Sequence, residues 1–339
     1  MESHERLVRW LLDGDPAVAW QVRRDLLDEP VATVEAARAR VATEGWGARL
    51  LAEQDPSGTW GDALYSPKCT STTYTLQLLR QLGLPRGHPA AVAGCERLLD
   101  GARWFDGGLN LAKTVGYPET CITSIVVAVA ASFGVVDERV EQAVAWLLGQ
   151  QLADGGWNCD TVRRGSTHGS FDTTILALEA LDEWNAAMGP DPVAAAAAGR
   201  GREFFLEHRL YCSHHTGEVV SRNYLRGAFP PGWHHDLVRG LDHFQHVEAP
   251  VDGRLAAAVE VLRSWRRGDG TWAGGARHPG RYWFVLEPAR GPSRVATLRA
   301  LRILRWWQAP VPGTNAVHEA DPIDATTSTT GAGRTERIA

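Results

Sequence analysis

The chain has 339 residues, and its 35 Lys and Arg against 40 Asp and Glu leave a formal net charge of −5. That balance excludes a nucleic-acid surface built on basic excess, and 44% hydrophobic with 22% charged residues excludes a fibrous chain or one disordered through most of its length. Fourteen Trp beside only six Tyr and eight Phe imply a repeated structural use of indole.

The five cysteines follow no framework spacing and read as reduced thiols of a cytoplasmic protein. Met1 to Arg6 is charged from the outset, which argues against a secretory signal. The longest apolar run, Ile125 to Val136, is far short of the roughly 20 residues that cross a bilayer.

In chain order the expected elements begin with a helix pair around Glu5 to Leu12 and Pro16 to Asp28. Five amphipathic segments follow, Glu35 to Glu53, His88 to Leu99, Asp137 to Gln151, Val193 to His208 and Leu255 to Trp265, each wet on one side. They alternate with five segments apolar on most sides, beginning at Thr70, Thr120, Asp172, Trp233 and Ser293. A helix apolar nearly all round is a buried one. Several of the latter start on Ser, Thr or Asp, as N-caps do.

Between the two kinds lies a repeated turn. Gln54 precedes Gly58-Thr59-Trp60, Gln150 and Gln151 precede Gly155-Gly156-Trp157, and Asp269-Gly270-Thr271-Trp272 keeps the turn without the Gln. Gly107-Gly108-Leu109 is a degraded copy, and a fifth, irregular turn falls at His215 to Val219. Six pairs of one wet and one buried helix predict an all-α, (α/α)6 ring over residues 1–308, with almost no strand. An open solenoid is the less favoured arrangement. The stretch 309–339, rich in Thr, Ala, Gly and Pro, reads as a disordered tail.

The Gln and Gly-x-Trp turns resemble the QW repeats of the squalene and oxidosqualene cyclases and of the β subunits of protein prenyltransferases. The resemblance covers about residues 1–308 and is strongest to single-domain bacterial proteins with such repeats. It implies an α/α toroid, and an enzyme acting on a small apolar or prenyl-bearing molecule in a central cavity. The chain departs from both families. It has no Asp-x-Asp-Asp run of the kind that protonates triterpene precursors, and Thr174 stands where the prenyltransferase zinc site has Cys, two residues after Asp172.

If the buried helices line a cavity, their first turns gather at one mouth, where helix N-termini favour anions. Candidate binding residues there are Tyr65, Lys68, Arg163, Arg164, His168, Asp172, Tyr224, Trp233, Trp283 and Arg294. Asp236, preceded by His234 and His235, is the leading candidate acid, with Glu119 next. Each also has a structural reading. Asp236 and Glu119 stand where helix-capping acids stand, and the histidines can bind neighbouring loops. No cofactor is required by the sequence. Zinc on Cys159, His168 and His235 is the metal alternative, although no Cys-x-x-Cys or His-Glu-x-x-His is present. A ligand-binding scaffold without catalysis, and a zinc-dependent hydrolase or lyase, are the alternative functions.

Overall fold

The computed structural model describes residues 2–309, apart from 113 and 289. It is mostly helical. The helices are α1 (Glu2–Leu12), α2 (Pro16–Asp25), α3 (Val31–Ala39), α4 (Gly45–Ala52), α5 (Thr72–Leu82), α6 (Pro89–Gly101) and α7 (Thr120–Phe133), then α8 (Glu138–Gly149), α9 (Asp160–Arg164), α10 (Phe171–Met188), α11 (Pro192–Glu207), α12 (Leu237–His246), α13 (Ala256–Ser264) and α14 (Arg294–Gln308). The stretch from 310 on, expected to be a tail, lies outside the described residues.

Three expectations are corrected in detail. Almost no strand was expected, yet four short strands form two antiparallel ribbons, Arg103–Phe105 with Gly108–Asn110 and Trp272–Ala273 with Pro292–Ser293. The first is a tight hairpin made by the degraded turn at Asp106-Gly107. The segment from Glu35 to Glu53 is two helices, because Gly45 has φ +63° and a Cβ there would lie 2.2 Å from the Asp15 carboxylate. The segment expected from Trp233 starts at Leu237, where Asp236 caps it.

The turns explain the tryptophans. The indole N–H groups of Trp60, Trp157 and Trp272 donate to the carbonyls of Leu50, Leu147 and Leu262 at 2.7, 2.8 and 2.8 Å. Each of these rings is buried. Gln54 Nε2 donates to the Gly58 and Ala90 carbonyls at 2.9 and 2.8 Å, and Gln151 Nε2 to those of Gly155 and Ala197 at 2.8 and 2.8 Å. Each Gln thus closes its own turn and fastens it to the next wet helix.

A second bond recurs. The backbone N–H of Trp60, Leu109, Trp157 and Trp272 donates to the hydroxyls of Thr72, Thr123, Thr174 and Thr297 at 3.0, 3.1, 3.0 and 3.0 Å. These Thr hydroxyls, a few residues inside the segment starts read as caps from sequence, clamp the preceding turn to the buried helix. The caps themselves are Ser170 on α10, Asp236 on α12 and Ser293 on α14.

The buried helices meet in sequence. α5 packs on α7, α7 on α10, α12 on α14, and α14 on α2. α10 and α12 are joined by Glu179–Arg239 at 2.7 Å. Trp20 of α2 returns to α5 by donating to the Leu82 carbonyl at 2.9 Å. The wet helices α6, α8, α11 and α13 back α5, α7, α10 and α12.

Candidate functional site

A cavity of about 190 Å³ lies among α2, α5, α10, α12 and α14. Half of the side chains lining it are ionisable. They arise at helical spacing: Glu179, Asp182 and Glu183 on α10, Arg239, Asp242, His243 and His246 on α12, and Arg299 and Arg302 on α14. The rest of the lining is largely apolar, with Ala17, Val18 and Trp20 of α2, Trp46, Phe229, and Val295 and Leu298 of α14.

The charges are mostly paired. Arg80 reaches Glu179 at 2.5 Å and Glu183 at 2.8 Å, and Asp242 reaches Arg299 at 3.2 Å and Arg302 at 2.5 Å. Arg302 continues to Asp25 at 3.1 Å. Arg239 and Arg80 outweigh burial and hold Glu179 down at about 2.

Asp182 is paired more loosely, its Oδ1 lying 3.7 Å from Arg202 Nη1. Its Oδ2 is 3.3 Å from Nδ1 of His243 and accepts no hydrogen bond from the protein. Burial pushes its carboxyl up to about 7 and drives the His243 imidazole down to about 3. Near neutral pH the carboxyl is therefore divided between acid and carboxylate, beside a neutral imidazole. Three more buried atoms of this cavity's residues have no hydrogen-bond partner in the protein: Arg80 Nε, Arg239 Nη2 and His243 Nε2. Buried polar atoms without partners are uncommon in folded proteins and call for an explanation.

The mouth holds a second, smaller cavity of about 50 Å³, whose walls include Lys68, Tyr74, Trp233, His234, His278 and Tyr282. Gln81 and Pro231 line both cavities. Trp233, His234 and His278 stack with ring centroids 3.7 Å apart at each step, and Lys68 Nζ stands 4.8 Å above Trp233. Tyr65 packs on Tyr74 at 5.7 Å, and its phenol is pushed up by burial. Glu119 is half-buried; burial raises its carboxyl against the pull of Lys68, Asn110 and Arg163.

The expected acid–base trio takes structural roles. Asp236 Oδ1 accepts the Arg239 N–H at 2.9 Å and Oδ2 the Ala228 N–H at 2.8 Å, so both oxygens cap α12 and hold the loop before it. Burial drives His235 down to about 3, and with the ring neutral its Nε2–H donates to the Leu210 carbonyl at 2.8 Å. His234 is driven by burial to about 4. Neither imidazole carries a proton to give at neutral pH. Replacing Asp236 by Ala is expected to cost about 1–2 kcal/mol of stability through the lost cap, read as a lower urea midpoint, with the Asp182 site intact.

The other expected residues divide. Asp172 accepts the His235 N–H at 2.6 Å, and burial raises its carboxyl; Tyr224 packs on Phe171 at 4.9 Å. Trp283 donates to the Thr75 hydroxyl at 3.0 Å. Arg163, Arg164 and His168 are exposed, with Arg164 3.4 Å from Asp160. Arg294 turns to the first helix, donating to the Trp10 carbonyl at 2.9 Å. Among the described residues no group of three or more His, Cys, Asp or Glu is placed to hold a metal. Cys159 and His235 bind other partners and His168 is exposed, so the three do not fit a zinc site.

Solved structures give remote likenesses. A protein from Actinoplanes is 21% identical at a TM-score of 0.46, over 91% of this chain and 99% of that one. The type II terpene cyclase MstE from Scytonema is 18% identical at 0.43, over 86% and 88%. The GH76 alpha-mannanase BT2949 from Bacteroides thetaiotaomicron is 13% identical at 0.37, over 70% and 67%. No family model and no curated protein matches. No described helix is long and apolar enough to cross a membrane.

Sequence reasoning named Lys68, Trp233 and His234 of the smaller cavity and missed the ionisable residues of the larger one. Asp182, His243, Arg239 and Glu179 sit in the middle of helices, away from any turn or motif. One signal was present: on α10 and α12, acids and bases recur at three and four residue spacing inside segments otherwise read as buried.

Proposed function

We propose that this chain is an α/α toroid enzyme of the terpenoid-cyclase and prenyltransferase kind, performing acid–base chemistry on a small, prenyl-bearing molecule in its central cavity. In this reading the buried helices form one closed ring over residues 1–308. The observation that carries the proposal is the group of unpartnered polar atoms around the cavity, Asp182 Oδ2 foremost, in a lining otherwise largely apolar. At about 190 Å³ the cavity is smaller than the roughly 300–1,000 Å³ of drug-sized sites, which favours a short prenyl compound over a triterpene.

Asp182 is the proton donor. A carboxyl held at about 7 is still partly protonated at neutral pH and is matched to proton transfer there. His243 Nδ1, 3.3 Å away, orients that carboxyl. Arg80 Nε and Arg239 Nη2 offer hydrogen bonds to the polar end of the substrate, while Trp46 and Phe229 accommodate the apolar body and any cationic charge that develops on it.

The test is a panel of short prenyl diphosphates, prenyl alcohols and terpenoid alkenes, with products identified by mass spectrometry. Wild type is expected to convert at least one, and Asp182→Asn to lose about 10²–10⁴-fold in turnover while staying folded. Wild-type turnover is expected to fall as pH rises through about 7, where the acid loses its proton. Stability supplies an independent sign. The folded carboxyl binds its proton more tightly than the unfolded one, so this stabilisation is whole below 3.8 and is lost as pH rises through about 7. Asp182→Asn, which does not titrate, is therefore expected to gain on wild type between pH 5 and pH 8. Full turnover in Asp182→Asn would remove the assignment.

A binding toroid without catalysis is the second reading. It is favoured by the ion pairs that join α5, α10, α12, α14 and α2 around the cavity, since charges so committed are unavailable for chemistry. It predicts a retained ligand and no product from any member of the panel.

A further inference from the structure

Cys121 and Cys159 lie at the mouth and play no part in the cavity chemistry proposed above. Cys121 stands in the first turn of α7, and Cys159 immediately precedes α9. The backbone N–H of Cys121 donates to the Cys159 sulfur at 3.1 Å, and the Thr173 hydroxyl reaches the same sulfur at 3.6 Å. The first of these bonds holds Cys121 beside that sulfur. Two donors therefore converge on one sulfur at the amino end of a 14-residue helix, an environment that favours thiolate.

We propose that Cys159 and Cys121 form a reactive dithiol that exchanges with low-molecular-weight disulfides of the glutathione type and closes to an intramolecular disulfide. The Cys159 thiolate attacks one sulfur of the small disulfide; that S–S bond breaks, a mixed disulfide forms on Cys159, and one small thiolate leaves. The departing thiolate takes the Cys121 proton, and the Cys121 sulfur attacks Cys159. The mixed S–S bond breaks and the second small thiolate leaves, taking a proton from water. The two protein thiols are oxidised by two electrons, and one small disulfide is reduced to two thiols.

The division of roles follows from the surroundings. The hydrogen bond from Cys121 holds Cys159 below the usual thiol range, and the same bond together with burial pushes Cys121 up. Burial also raises the thiols of Cys69, Cys95 and Cys212. Cys159 is thus set apart as the first to react, and Cys121, whose backbone N–H meets that sulfur, is the neighbouring cysteine that completes the exchange.

The experiment treats the full chain with oxidised glutathione and maps its peptides by mass spectrometry. Wild type is expected to lose two hydrogens and yield one linked Cys121–Cys159 peptide, reversed by dithiothreitol. Cys121→Ser is expected to stop at a mixed disulfide on Cys159, and Cys159→Ser to leave Cys121 unmodified. Brief iodoacetamide labelling of unaltered wild type, which needs no variant to fold, is expected to mark Cys159 about tenfold faster than the other four. Modification centred on Cys69, Cys95 or Cys212, no reaction in wild type, or a persistent adduct on Cys159 without the linked peptide would each overturn the proposal. Turnover of the prenyl panel does not enter these readouts, so this proposal and the cavity reading fail separately.

Discussion

Replacing Glu179 by Ala is expected to destabilise the protein by about 3–5 kcal/mol. The carboxylate is shared between Arg80 at 2.5 Å and Arg239 at 2.7 Å, and the side chains of both arginines are nearly buried. Removing it leaves two guanidinium groups in the cavity with less compensating charge, and Arg239 keeps only the Gly232 and His234 carbonyls, at 3.1 and 2.7 Å. An uncompensated buried charge costs far more than a surface pair yields. Urea denaturation at pH 7 measures the effect. Glu179→Gln, which keeps the shape and loses the charge, is expected to lie between wild type and Glu179→Ala. A loss below about 1 kcal/mol for Glu179→Ala would show that these pairs behave like solvated surface pairs.

Trp157→Ala is expected to cost a similar amount, about 3–5 kcal/mol, by a different route. The ring is fully buried and lies in contact distance of a Cβ placed on Gly201 of α11, while its N–H closes on Leu147 of α8. Truncation opens a void between two repeats and leaves the Leu147 carbonyl with the Gln150 N–H alone, at 3.1 Å. Trp157→Phe separates the two contributions: much of the bulk stays and the N–H goes, so a loss of about 0.5–1.5 kcal/mol is expected for the missing hydrogen bond. Equal losses in the two variants would show that the hydrogen bond, and not the packing, decides the effect.

The helical fold was legible because its signals are local and repeated. Gln54, Gly58 and Trp60 recur as Gln151, Gly155 and Trp157, and the repeated backbone requirement is visible at Gly155, whose φ is +83° and where a Cβ would meet the Arg200 carbonyl at 2.4 Å. The loop–helix junctions were harder, since Ser, Thr and Asp at a boundary serve equally as caps and as clamps. Thr72 and Thr174 clamp a turn, whereas Ser170 and Asp236 cap a helix. The centre was illegible for a physical reason. Asp182 is set apart from Glu179 and Glu183 only by which partners the tertiary structure brings to it, Arg80 and Arg239 closely for Glu179, and a looser Arg202 with a neutral imidazole for Asp182. Nothing in the local sequence distinguishes those three acids.

The threonine clamp has a complement in its own exception. Four turns are fastened to a buried helix by a hydroxyl, but α12, Leu-Val-Arg-Gly-Leu-Asp-His-Phe-Gln-His, contains no Ser or Thr, so the fifth turn has no such fastening from it. That same helix supplies Arg239, Asp242 and His243, and the long segment before it supplies Trp233 and His234 at the mouth. The regular repeats act as a frame whose geometry is fixed by a few reused bonds. The irregular one, released from that constraint, is where substitution and insertion can alter what the centre recognises without loosening the frame around it.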